Sequence, residues 1–190
     1  MRSYMVQTMG EEFGPYPLEF LREKLSVGHI RPSTGVRVVE DGKHVAYSDV
    51  EDELLAQDNP ADALSAFRGY LAATEQRAKS GSDLSGAQSD LAEAHLKLGD
   101  VLSKQGAADQ AIENYRAGLA VAEPQAARQP RDVGYKTLLA ELNYALAVNG
   151  HEPARRYALA VDALTPLASE LNRRQTRVLT EATAALAKLG

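Results

Sequence analysis

Residues 91–124 read LAEAHLKLGDVLSKQGAADQAIENYRAGLAVAEP, and this stretch decides the fold. Apolar residues recur at helical spacing on both sides of Gly106, which predicts two helices in tandem joined by a tight turn. Shifting the chain by 48 places aligns Ala63, Leu64, Phe67, Arg68, Leu71, Ala72 and Glu75 with Ala111, Ile112, Tyr115, Arg116, Leu119, Ala120 and Glu123. The same shift puts Leu91-Ala92-Glu93 on Leu139-Ala140-Glu141 and Leu98 on Leu146. One register kept across two helices and the loop between them is the mark of an internal repeat. A helix pair of this size cannot bury its apolar face alone, so stacking of successive pairs is expected. Two helices cross at close range only where side-chain bulk is missing. Gly99 and Ala111 provide that, and Tyr115 fills the space toward the next pair.

The central unit resembles a tetratricopeptide repeat. Gly99 stands at that family's small residue in the first helix, Gly106 at its turn, and Ala111, Tyr115 and Gly118 at the small–aromatic–small series of the second helix; Pro124 comes one place later than usual. The 48-residue spacing exceeds the family's usual length. The excess falls in Gln76–Ser89 and Gln125–Tyr135, read as long loops or extended helix ends, with Asp83 and Asp132 placed to cap the helices that follow. Arg173 to Leu189 carries Val178, Leu179, Ala182, Leu186 and Leu189 at helical spacing without a partner repeat, as a terminal capping helix would. The resemblance implies that the inner face of each first helix receives an extended peptide or a helix. The positions expected to be exposed there are Glu93, Leu96, Lys97, Asp100 and Lys104, then Glu141, Tyr144 and Val148. Their mixed charges differ from the cationic, asparagine-rich clamp of some family members.

Before Asn59 the grammar changes. Residues 1–58 hold most of the valines and all the short alternating runs, together with 6 basic and 11 acidic side chains. Tyr4-Met5-Val6-Gln7 reads as a strand, Met9 to Glu12 as a turn and Phe13 as the start of a second strand. Pro17 suits the first turn of a helix carrying Leu18, Leu21 and Leu25, which Gly28 ends. Val36 and Val38 mark a third strand, Asp41-Gly42 a hairpin turn, and Val45-Ala46-Tyr47 a fourth. The order is β-β-α-β-β.

Gly14-Pro15-Tyr16-Pro17-Leu18-Glu19-Phe20-Leu21, with Leu25, Gly28, Ile30 and Asp41-Gly42 downstream, resembles the bacterial branch of the GYF domains, relatives of modules that bind proline-rich peptides. Where that family has tryptophans this chain has Tyr4, Val38 and Tyr47. A polyproline II ligand offers flat ring faces and exposed carbonyls, so its groove needs aromatic walls and a donor. Tyr16 supplies both. The aromatics expected around the groove are Phe13, Tyr16, Tyr4 and Tyr47, with core filling as the other role open to Phe13 and Tyr4; Phe20 is expected to face the core.

The 190 residues are 44% apolar and 25% charged, ordinary for a globular protein, with a net charge of −5. That sign does not suit a protein held to nucleic-acid phosphates or anionic lipid. No cysteine is present, which excludes disulfides, thiolate metal ligands and thiol nucleophiles. His29, His44, His95 and His151 are isolated from metal-ligand spacings, and no phosphate loop or nucleophile elbow occurs, so neither catalysis, metal nor cofactor is expected. No apolar run approaches the ~20 residues of a membrane span, and the N-terminus lacks the apolar core of a secretory signal, so a cytoplasmic location without membrane insertion is expected. Residues 125–190 carry nine basic and six acidic groups, including Arg155-Arg156 and Arg173-Arg174-Arg177. The sequence thus predicts an α+β module over 1–58 and an all-α, tetratricopeptide-like (TPR-like) repeat solenoid over 59–190. Its expected role is a non-catalytic adaptor whose partners are proteins or peptides, proline-rich ones among them, with no nucleic acid. The alternative is a structural protein whose array self-associates as a homodimer.

Overall fold

A computed structural model describes residues 3–27, 29–31, 34–40, 42–46, 60–80 and 84–189. The chain divides into two compact units, Met1–Ser82 and Asp83–Gly190. The expected junction at 58/59 lies outside the described residues, as do Gly28, Asp41, Tyr47 and Asp83.

The first unit holds an antiparallel sheet of β1 (Tyr4–Thr8), β2 (Glu11–Tyr16), β3 (Gly35–Val38) and β4 (His44–Ala46), in the order β2-β1-β3-β4. It also holds helices α1 (Leu18–Ser26) and α2 (Pro60–Ser80). Met9 and Gly10, both at positive φ, turn β1 into β2. Alternation sorts the two faces of the sheet. Tyr4 pairs with Val38 and Val6 with Val36, and all four are buried. The opposite face is polar: Arg37 grips Glu12 with two nitrogens, at 2.9 and 2.7 Å, and Gln7 Nε2 reaches Glu12 at 3.2 Å and His44 Nδ1 at 2.8 Å. Pro17 sits one residue outside α1, as its N-cap. Leu21 and Leu25, one turn apart, are the buried stripe of α1. α2 crosses α1 at Gly69, where an added Cβ would lie 2.7 Å from the Ser26 carbonyl oxygen. The close approach therefore depends on glycine.

The second unit is a helical array: α3 (Leu84–Lys104), α4 (Ala108–Arg128), α5 (Val133–Val148), α6 (Pro153–Leu164), a 3₁₀ turn (Thr165–Leu167) and α7 (Arg173–Leu189). Each helix packs on its successor, and α5 also touches both α3 and α7. Gly106 and Gly150, at φ +78° and +80°, close the turns after α3 and α5. The excess spacing is taken up by extended helix ends, since α2 runs to Ser80 and α4 continues through Pro124 to Arg128. Asp132 caps α5 as expected, accepting a hydrogen bond from Tyr135 N at 3.0 Å. Asn172 and Gln175 open α7 with reciprocal side-chain bonds at 2.9 and 3.1 Å, a capping box that the sequence reading missed. α7 covers the apolar end of the array: Val178 and Ala182 are buried with Ala140, Ala160 and Leu164.

Candidate functional site

Among the described residues, the first unit groups aromatic side chains at its surface and the second groups charged ones. In the first, the turn Gly14-Pro15-Tyr16 leads into α1. Gly14 lies at φ +137°, and a Cβ there would meet the Tyr4 carbonyl oxygen at 2.8 Å, so the element requires glycine. Tyr16 is half-buried and stacks on Phe20, with ring centroids 4.2 Å apart and planes inclined by 22°. Lys24 Nζ lies 4.8 Å from the Phe20 centroid, a cation–π contact one helical turn on. Phe13 is 43% exposed.

Two expectations need correction here. Tyr4 is 1% exposed, because it alternates with Val6 on the buried face of β1, so its ring is core and not groove wall. Phe20 is not core: it shares the half-buried surface with Tyr16. Its i,i+4 spacing to Lys24 was the available signal, since a cation one turn away favours an aromatic at the surface.

In the second unit, α3, α5 and α7 contribute a polar face. Arg174 Nη2 lies 3.0 Å from Asp100 Oδ2, and its Nε lies 2.9 Å from Glu141 Oε2. Tyr115, from α4, donates its hydroxyl to Asp100 Oδ1 at 3.1 Å. Burial and the Asp100 carboxylate push that phenol's pKa up. Tyr144 donates to Glu181 of α7 and has Tyr157 beside it, with ring centroids 6.0 Å apart. Its pKa is also raised, by burial first and the Glu181 bond second. Glu93 senses Lys97, Asp90, Glu141 and Arg174, and burial pushes its carboxyl above the usual range.

The structure therefore brings Glu93, Asp100 and Glu141 together around Arg174, places Tyr144 instead with Tyr157 and Glu181, and leaves Lys104 exposed at the end of α3 and Val148 exposed at the end of α5. Lys97 and Leu96 are buried, contrary to the expectation of exposure; Lys97 keeps only 7% of its surface. α3 packs on α4 and touches α5, so little of its circumference faces water, and the lysine stem is covered. Sequence reasoning missed Arg174 and Glu181 as members of this face. The signal was present: Arg174, Val178 and Ala182 recur every fourth residue, which sets a guanidinium in line with the buried stripe of α7 and calls for an acidic partner.

Elsewhere, His151 lies against Arg116 Nη2 at 3.2 Å and Glu152 at 3.7 Å, and His95 Nδ1 lies 3.3 Å from Asn114 Oδ1. Among the described residues no group of three or more His, Cys, Asp or Glu side chains is arranged to hold a metal ion, and no helix is long and apolar enough to cross a membrane. Comparison of the chain with protein-family models, with curated proteins and with solved structures returns no match.

Proposed function

We propose that the protein is a non-catalytic adaptor that binds peptide segments of other proteins on two separate surfaces. The first is the stacked Tyr16 and Phe20 pair, with the exposed Phe13, of a GYF-like module whose ligand is proline-rich. The second is the α3–α5 face of a TPR-like repeat solenoid. The observation that carries this reading is the Tyr16–Phe20 stack at a half-buried surface, with Phe13 exposed on the strand that ends at Tyr16. Rings held flat by one another at a surface present apolar area already ordered, so little side-chain entropy is lost when proline rings lie against them. Glycine-dependent crossings support the repeat reading: Gly99 is filled against Tyr115, and Gly118 lies against Leu142 of the next repeat. Two weak surfaces on one chain gain avidity through effective concentration, which suits a scaffold in the cytoplasm.

A synthetic peptide array probed with the full chain tests this reading. Proline-rich spots that lose signal with Tyr16→Ala, and a second set that loses signal with Tyr144→Ala, are the expected result. Signals indifferent to both substitutions would remove the basis for the proposal.

A further inference from the structure

Two acidic side chains of the α3–α5 face, and Tyr144 farther along α5, are already engaged by α7. Asp100 and Glu141 share the guanidinium of Arg174, at 3.0 and 2.9 Å, and Tyr144 bonds Glu181. We propose that Arg174 is a built-in competitor on this face, and that a partner binds by placing a lysine or arginine side chain of its own between Asp100 and Glu141. The proposal rests on the reading of the α3–α5 face as a binding surface and adds the ligand's chemistry and its regulation.

Three features of the site lead there. First, Asp100 and Glu141 stand on different helices, yet both reach one guanidinium. Without a cation the two carboxylates repel, so whatever replaces Arg174 must carry positive charge. Second, among the described residues Glu93 faces Asp90 and Glu141 as well as Lys97 and Arg174, and Asp100 and Glu141 bracket Arg174, so the surroundings of the contact are acidic and disfavour an anionic ligand.

Third, Arg174 can let go without dismantling its helix. α7 is anchored one and two turns later by Val178 and Ala182, and its first turn is capped by Asn172 and Gln175. The Arg174 side chain keeps 24% of its surface in water, and its stem is long enough to swing outward. The closed state therefore differs from the open one by a side-chain rearrangement. Its cost lowers the apparent affinity of any partner by the fraction of molecules that are open.

The test uses the full chain as wild type, Arg174→Ala and Arg174→Lys. Each is titrated with short glycine–alanine peptides carrying a single central arginine, glutamine or glutamate. The arginine peptide is expected to bind Arg174→Ala at least about tenfold more tightly than wild type, a difference of about 1.4 kcal/mol. Arg174→Lys is expected to behave as wild type, and the glutamate peptide to gain nothing. Should Arg174→Ala fail to fold, Arg174→Gln keeps part of the stem and a polar end without the charge, and carries the same test. Methylguanidinium is then expected to raise that variant's melting temperature, while urea, its neutral counterpart, does not. Equal affinity of the arginine peptide for wild type and variants overturns the proposal. Binding that depends on Tyr144 but not on peptide charge or Arg174 overturns it too and leaves the binding surface standing. No binding of any peptide to any variant removes both.

Discussion

Gly99 lies beneath the Tyr115 ring so closely that a Cβ at position 99 would stand 2.4 Å from Tyr115 Cε1 and within 3 Å of two further ring atoms. An aromatic ring held by a hydrogen bond to Asp100 has no flexible end to move aside. Gly99→Ala is expected to destabilise the second unit by about 1–3 kcal/mol through overpacking, against a helix-propensity gain of about 1 kcal/mol. Thermal denaturation checks it: the melting temperature should fall, by about 4–8 °C for each kcal/mol by which overpacking exceeds the propensity gain.

Gly118→Ala provides the internal contrast. Its added Cβ would meet Leu142 Cδ2 at 2.8 Å, the far end of a flexible side chain, and the Ala92 carbonyl oxygen at 3.3 Å. Leucine can change rotamer, so the strain is partly relieved and the propensity gain offsets more of it. The loss in melting temperature is expected to be smaller than for Gly99→Ala. The reverse ranking would mean that the Gly99–Tyr115 contact is not the tighter crossing.

Acid should loosen the first unit at a defined place. The Arg37 guanidinium, gripping Glu12 with two hydrogen bonds, holds that carboxyl down at about 2, against 4.5 for an ordinary glutamate. A carboxyl depressed in the folded state contributes stability above its unfolded value, and that contribution is lost as pH falls from about 4.5 to about 2. Arg37→Met is expected to lower the melting temperature at pH 7, with the gap to wild type closing across that window. A constant gap would show that the pair does not titrate as described.

Glu93 predicts the opposite slope. Burial raises its carboxyl above the ordinary glutamate value of 4.5, with Asp90 and Glu141 adding to the shift and Lys97 and Arg174 opposing it. A group whose folded value is raised contributes fully below its unfolded value, and the contribution is lost as pH rises through the folded value. Glu93→Gln should therefore raise the melting temperature at pH 7, with the gain shrinking toward pH 4.5. Scanning calorimetry at several pH values reads it directly.

Much of the architecture was legible because it rests on local rules. The strands Tyr4–Thr8 and Gly35–Val38 follow from alternation, and the Asp132 cap follows from its place before an apolar run. Gly99, Ala111 and Tyr115 formed a spaced pattern that only a close helix crossing explains. Side-chain partners across elements were harder to read. The 48-residue shift aligns α2 with α4 but does not say what covers α2, and its crossing over α1 at Gly69 became visible only with coordinates. Between groove wall and core, the two roles open to Tyr4 from its sequence, its place two residues before Val6 on the buried face decides for core. Arg174 was noticed as part of a basic run; its partners Asp100 and Glu141 lie 74 and 33 residues earlier, and no local rule joins them.

The central claim is that this chain works by presenting two peptide-binding surfaces. Backbone amide chemical shifts of the isotopically labelled full chain, recorded during titration with array-derived peptides, test it most directly. The account predicts that a proline-rich peptide shifts Phe13, Tyr16, Phe20 and Lys24, and that a cationic peptide shifts residues around Asp100, Glu141 and Arg174. Saturating peptide that leaves both sets of resonances in place, or moves only residues remote from them, contradicts it.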